Sequence, residues 1–129
     1  MKDFAENEWL KAKRSLSTAE TLINIDPDSS VSRAYYAAFH AVTALFALNG
    51  QTFKKHTAIR AAVHKTLVKE GQWDSRLGTD YDYLLELREI GDYGGITVVK
   101  TDDAKKAVQC AKNILDGVVA LKPEIQRRL

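Results

Sequence analysis

Two small groups of side chains in this 129-residue chain have the types and the spacing to do chemistry. The first lies in the stretch VSRAYYAAFHAVTALFALNG, from Val31 to Gly50. Placed at about 100° per residue, its Arg33, Tyr36 and His40 fall with Ser32 and Thr43 on one narrow stripe of a helix. The second group is Arg88 and Asp92, four residues apart and therefore on one face, with Tyr81 between them in angle. A guanidinium one turn from a carboxylate is either a structural ion pair or an anion anchor, because its planar fork matches phosphate oxygens in pairs. Histidine is the side chain whose unperturbed pKa suits both donating and accepting a proton near neutral pH. Asp92 has the chemistry of a base but, beside a guanidinium, is a poor acid.

Other reaction classes are set aside by spacing. No glycine-rich phosphate loop is present, since Gly94-Gly95 ends a helical pattern rather than opening one. Di-iron bundles use Glu-x-x-His pairs, but the residues three before His40, His56 and His64 are Ala37, Phe53 and Ala61. Scattered histidines and one cysteine, Cys110, make no zinc site, and neither metal nor cofactor is expected. Cys110 sits in an apolar-periodic stretch and reads as a packed thiol. A lone cysteine excludes an internal disulfide and fits a reducing, cytoplasmic setting. The net charge of +2 does not argue for nucleic acid by electrostatics alone. Lys54, Lys55, Arg60, Lys65 and Lys69 follow helical spacing and read as a solvated face. His56, beside a turn, and His64, on that face, read as unremarkable.

These groups need a scaffold, and the apolar periodicity supplies one. Trp9, Ala12, Leu16, Ala19 and Ile23 step by three and four, predicting an amphipathic helix from Asp3 to Ile25. Asp26-Pro27-Asp28-Ser29-Ser30 breaks it, with Asp28, Ser29 or Ser30 as the cap of the next helix. That helix is apolar around most of its circumference, so it belongs at the centre of a bundle. Its uncharged run, from Ala34 to Gly50, is too short for a membrane span and stops at Asn49-Gly50. Ile59, Ala62, Val63, Thr66 and Leu67 mark a short third helix. A fourth runs from Asp74 to Asp92, weakened at Gly78, with Tyr83, Leu84, Leu87, Ile90 and Gly91 on its core side. Tyr93-Gly94-Gly95 ends it, and residues 96–100 read as a short extended connection. Thr101 is the expected cap of a fifth helix that buries Ala104, Ala107, Val108, Ala111, Ile114, Leu115 and Val118. The expected fold is an all-α, up-and-down four-helix bundle with one additional short helix, forming a single domain over 1–129. With no apolar leader after Met1, no secretion signal is expected.

SRAYYAAFHA on the second helix and LREIGDYGG at the end of the fourth together resemble the HEPN superfamily (higher eukaryotes and prokaryotes nucleotide-binding), in its small stand-alone prokaryotic form. The resemblance runs from about Trp9 to Leu121. It implies a helical bundle, commonly a homodimer, often encoded beside a minimal nucleotidyltransferase in a toxin–antitoxin-like pair. In the nuclease branch, an arginine near the end of a late helix is followed after four to six residues by a catalytic histidine. Arg88 matches that arginine, but Glu89 to Gly95 contain no histidine. The leading expectation is therefore nucleotide or RNA binding without efficient catalysis, in a polar cleft lined by Arg33, Tyr36, His40, Arg88, Asp92 and Tyr93. Arg88 and Asp92 are the catalytic candidates of an alternative, a metal-independent RNase toxin in which His40 or Asp92 stands in for the absent histidine. A third reading is a dimeric helical scaffold whose polar stripe is only a satisfied buried network.

Overall fold

The computed structural model describes residues 2–94 and 98–127 and is built around the long apolar stretch. Helices α1 (Lys2–Leu22), α2 (Pro27–Leu48), α3 (His56–Ala62), α4 (Ser75–Tyr93), α5 (Thr101–Leu121) and α6 (Glu124–Arg127) are joined by short connections. No strand occurs among the described residues. Helix α2 packs against α1, α4 and α5, and also touches α3, so it is the centre of the expected bundle. Its six alanines (34, 37, 38, 41, 44 and 47) are at most 1% exposed, and their small volume lets three helices close around one. Val31, Tyr35, Val42, Leu45 and Phe46 fill the remaining core around it. Burying a side chain of Leu or Phe size contributes about 1.5–3 kcal/mol.

Helix α2 starts earlier than the sequence suggests. Pro27 occupies the first helical turn rather than the break, where its fixed φ is already helical and its missing N–H costs nothing. The cap is Asp26, not Asp28, Ser29 or Ser30: its carboxylate accepts from the Ser29 backbone N–H at 3.2 Å and the Ser29 hydroxyl at 2.6 Å. Ser30 turns inward instead, donating to the Ala19 carbonyl at 2.7 Å and so tying α2 to the end of α1. Helix α1 accordingly stops at Leu22, short of Ile25.

The short third helix also differs. Its α-helical part ends at Ala62, and Val63–Lys69 widen into a π-helix. Ile59, Val63 and Leu67 are the buried residues of this segment and recur every four positions. A regular step of four exceeds the 3.6 residues of an α-turn, and the wider i→i+5 turn keeps all three on the core side.

On α4, Tyr81 is a fully buried core residue rather than part of the polar face, whereas Tyr83, Ile90 and Gly91 are only half-buried. Asp74 caps α4 through the Arg76 N–H at 2.9 Å, and Gly94 ends it at φ +72°. Thr101 is the first residue of α5 rather than its cap, and the Asp103 carboxylate reaches back to the Lys100 N–H at 3.0 Å. All seven core positions expected of α5 are buried, with Cys110 beside them. Of the expected extended connection, residues 96 and 97 lie outside the described set, as does Gly95 of the helix stop, and Val98 to Lys100 have no regular structure. A short helix after Pro123, seating a buried Ile125, was not anticipated.

At Gly91 the backbone of α4 lies close against α2. A Cβ there would sit 2.8 Å from the Asp28 carbonyl oxygen and 3.1 Å from Val31 Cγ2. Backbone cannot yield as a side chain can, so Gly91→Ala should lower stability by about 1–2 kcal/mol despite the better helix propensity of alanine. A fall of several degrees in the thermal melt followed by circular dichroism is the expected result; an unchanged or raised melt would show that α4 has room to move.

Candidate binding site

The polar stripe of α2 opens toward two partners. Toward α1, His40 Nδ1 is hydrogen-bonded to the carboxylate of Glu8, which is only 7% exposed and also lies 3.8 Å from Lys11. Toward α4, the Tyr36 hydroxyl accepts a hydrogen bond from Arg88 Nη2 at 3.0 Å. Arg88 Nε lies 3.1 Å from Asp92 Oδ2 in an ion pair, but its N–H is not aligned with that oxygen and, shielded from solvent, has no hydrogen-bond partner. The two groups picked out by spacing thus meet, with Tyr36 as the joint. Ser32 and Thr43 are nearly buried at the edges of the stripe, and Thr43 back-bonds to the Phe39 carbonyl at 2.7 Å.

Two guanidiniums converge on the Tyr36 ring. The Arg33 carbon is 4.9 Å from its centroid and the Arg88 carbon 5.4 Å, and Arg88 also lies 5.5 Å from the Tyr35 ring. Such contacts are favourable because the ring face is electron-rich. Among the described residues Arg33 has no ion-pair partner, and Arg88 has Asp92 alone. Beside them is a cleft of about 260 Å³ lined by Arg33, Ser32, Asp28, Gly91 and Asp92. Two carboxylates face one guanidinium there, so the cleft itself is not cationic. The positive charge is on the aromatic side.

His56, which spacing marks as unremarkable, belongs to this cluster. Its ring stacks on Phe39 at 4.0 Å and 19°, and its Nδ1 lies 3.3 Å from the Tyr35 hydroxyl. Its centroid is 6.2 Å from that of Tyr36, the same separation as that of His40. Partial burial holds the His56 pKa below the ordinary imidazole value, helped by the positive charge of Arg88 and by His40. Its neutral form is therefore favoured at neutral pH. No local spacing could have revealed this, because the contact spans the turn between α2 and α3. Glu8 was missed for a similar reason: it interrupts the apolar face of α1 at a position only the fold brings to His40.

The remaining candidates separate. Tyr93 stands 77% exposed at the end of α4, outside the ring cluster. Cys110 is buried, donates to Asp80 Oδ1 at 3.4 Å, and is pushed up to about 12 by burial and that carboxylate, which leaves it unreactive. Lys54, Lys55, Arg60, Lys65 and Lys69 are exposed, as a solvated face should be.

Tyr36→Phe deletes the acceptor of Arg88 and should cost about 1 kcal/mol, less than a fully buried charged hydrogen bond because the pair is partly wet. In a double-mutant cycle with Arg88→Met, followed by urea unfolding, the coupling should also be about 1 kcal/mol. Strictly additive effects would mean that the contact does not hold α2 to α4.

The sequence matches the family described as HEPN domain over residues 5–122. A UPF0332 protein of Thermotoga maritima is 33% identical over 118 residues, covering 91% of this chain and 89% of that protein. The architecture fits: a helical bundle whose central helix carries SRAYYAAFHA and whose fourth ends in LREIGDY. The chain belongs to the HEPN family.

Proposed function

We propose that the chain binds RNA, or a nucleotide derived from it, on the face formed by Arg33, Tyr36, Arg88 and the rings of Phe39 and His56. The observation that carries this reading is the convergence of two guanidiniums on one tyrosine, of which only Arg88 is in an ion pair, with Asp92, among the described residues. A phosphate supplies the charge and the acceptors that this arrangement leaves over. Unstacked bases supply flat faces for the exposed His56 ring and the partly exposed edges of Tyr36 and Phe39. Working in a pair with a minimal nucleotidyltransferase is part of the same proposal. It rests on the motifs SRAYYAAFHA and LREIGDYGG, and the exposed Tyr93 is the residue such a partner would reach most easily.

A second reading is favoured by one specific observation, the placement of His40 and His56 at the same 6.2 Å from the Tyr36 ring. Each has one ring nitrogen held by a partner, Glu8 or Tyr35, leaving Nε2 for a ligand. A neutral His56 would take the proton of an RNA 2′-hydroxyl as its oxygen attacks the adjacent phosphorus. His40 would protonate the departing 5′-oxygen, giving a 2′,3′-cyclic phosphate and a 5′-hydroxyl. This would supply the acid and base that α4 lacks.

Fluorescence anisotropy with a labelled single-stranded RNA and competing mononucleotides tests the binding. Arg33→Gln should weaken binding about tenfold and flatten its salt dependence by about 0.7 in log–log slope, the loss of one phosphate contact on a single strand. Absence of binding to RNA and to every nucleotide would sink the proposal. Co-purification from the native host addresses the partner, which is rejected if the chain recovers only itself. Mass spectrometry of the incubated RNA separates the two readings, since only the second yields cyclic phosphate ends.

A further inference from the structure

Outside the binding face, a cluster of charged and titratable groups joins α4 to α3 and the π-helical segment after it. Asp82 Oδ1, on α4, accepts from Arg60 Nε at 2.8 Å and from His64 Nε2 at 2.9 Å. Arg60 is on α3 and His64 on the π-helical segment that continues it. His56, Arg60 and His64 recur every four residues, so they form one stripe along this segment, parallel to the buried stripe of Ile59, Val63 and Leu67. The first member of the stripe stacks on Phe39, and the other two close on a single carboxylate oxygen.

We infer that Asp82 is a positioning residue for His56: by holding Arg60 and His64 it fixes the axial placement of α3 and so the seat of the imidazole on Phe39. The inference rests on the binding face proposed above, of which His56 is part. Gly78 supports it independently. A Cβ there would lie 3.0 Å from His64 Cε1 and 3.1 Å from Nδ1, so a glycine lets the ring rest against the α4 backbone and reach Asp82. Exposure supports it as well. The side chains of Arg60, His64 and Asp82 are 48%, 40% and 36% exposed, and ion pairs in such surroundings add at most about 1 kcal/mol to stability. The cluster does little for stability, yet it joins the segment carrying His56 to the helix carrying Arg88. The other groups around Asp82 are Glu86 and Glu89, which line the same shallow cleft with Arg60.

The test is an NMR titration of the His56 ring in the whole chain, together with RNA affinity. In the wild type, the His56 midpoint lies below its ordinary value, because it is partly buried and close to Arg88 and His40. Asp82→Ala should bring the midpoint up toward the ordinary value and weaken RNA binding at least threefold, while Asp82→Glu should largely restore both. The sign is diagnostic. Removing a negative charge can only lower a histidine pKa directly, so a rise reports that the ring has left its seat. Val118→Ala, in the core of α5, serves as the control that lowers the melting temperature without moving the midpoint. An unchanged or lowered His56 midpoint in Asp82→Ala overturns the inference. A wild type that binds no RNA, with the midpoint shift intact, overturns the binding face alone.

Discussion

The contact on which the site depends is the hydrogen bond from Arg88 to the Tyr36 hydroxyl. Helix α2 is buried on nearly every side, and a polar stripe on such a helix must find partners or lose the free energy of desolvation. Tyr36 turns that requirement into a connection. Its ring takes two guanidiniums, its hydroxyl accepts from one of them, and its neighbours His40 and His56 are placed by the same packing. Were the stripe satisfied only within itself, α4 would carry an isolated ion pair and the face would offer the charge of Arg33 alone.

The main elements were legible because each announces itself locally. The alternation of threes and fours in α1 and α5 and the glycines after Tyr93 are short-range signals with short-range causes. Helix ends proved harder. Whether Asp26 or a later serine caps α2 depends on whether Pro27 is read as a breaker or as a first turn, and both are consistent with its chemistry. The π-helix was not legible either, since a step of four fits an α-helix over one turn and exceeds it only over several.

The two halves of the site were each visible, Arg33–Tyr36–His40 by their stripe and Arg88–Asp92 by their spacing. Their meeting was not, because nothing in a helical wheel fixes which face of α4 turns to α2. That orientation is set by packing, chiefly by the close approach at Gly91, where no side chain keeps the backbones apart. Glu8 and His56 lay beyond local reading altogether. A charged residue on an apolar face and a histidine beside a turn acquire meaning only from what stands opposite them, and those residues are far away in sequence.

The π-helical segment sets a phase as well as a spacing. It joins two stripes, one seated in the core and one reaching over the aromatic rings, and its wider turns fix the angle between them. Loss of a single residue within 63–69 with the wide turns kept would swing everything before it by roughly a quarter turn relative to everything after. Ile59 would then leave the core as His56 left Phe39. Length in this segment is therefore under tighter control than composition, and an exposed, lysine-rich surface helix has a register as strict as that of the core it lies on.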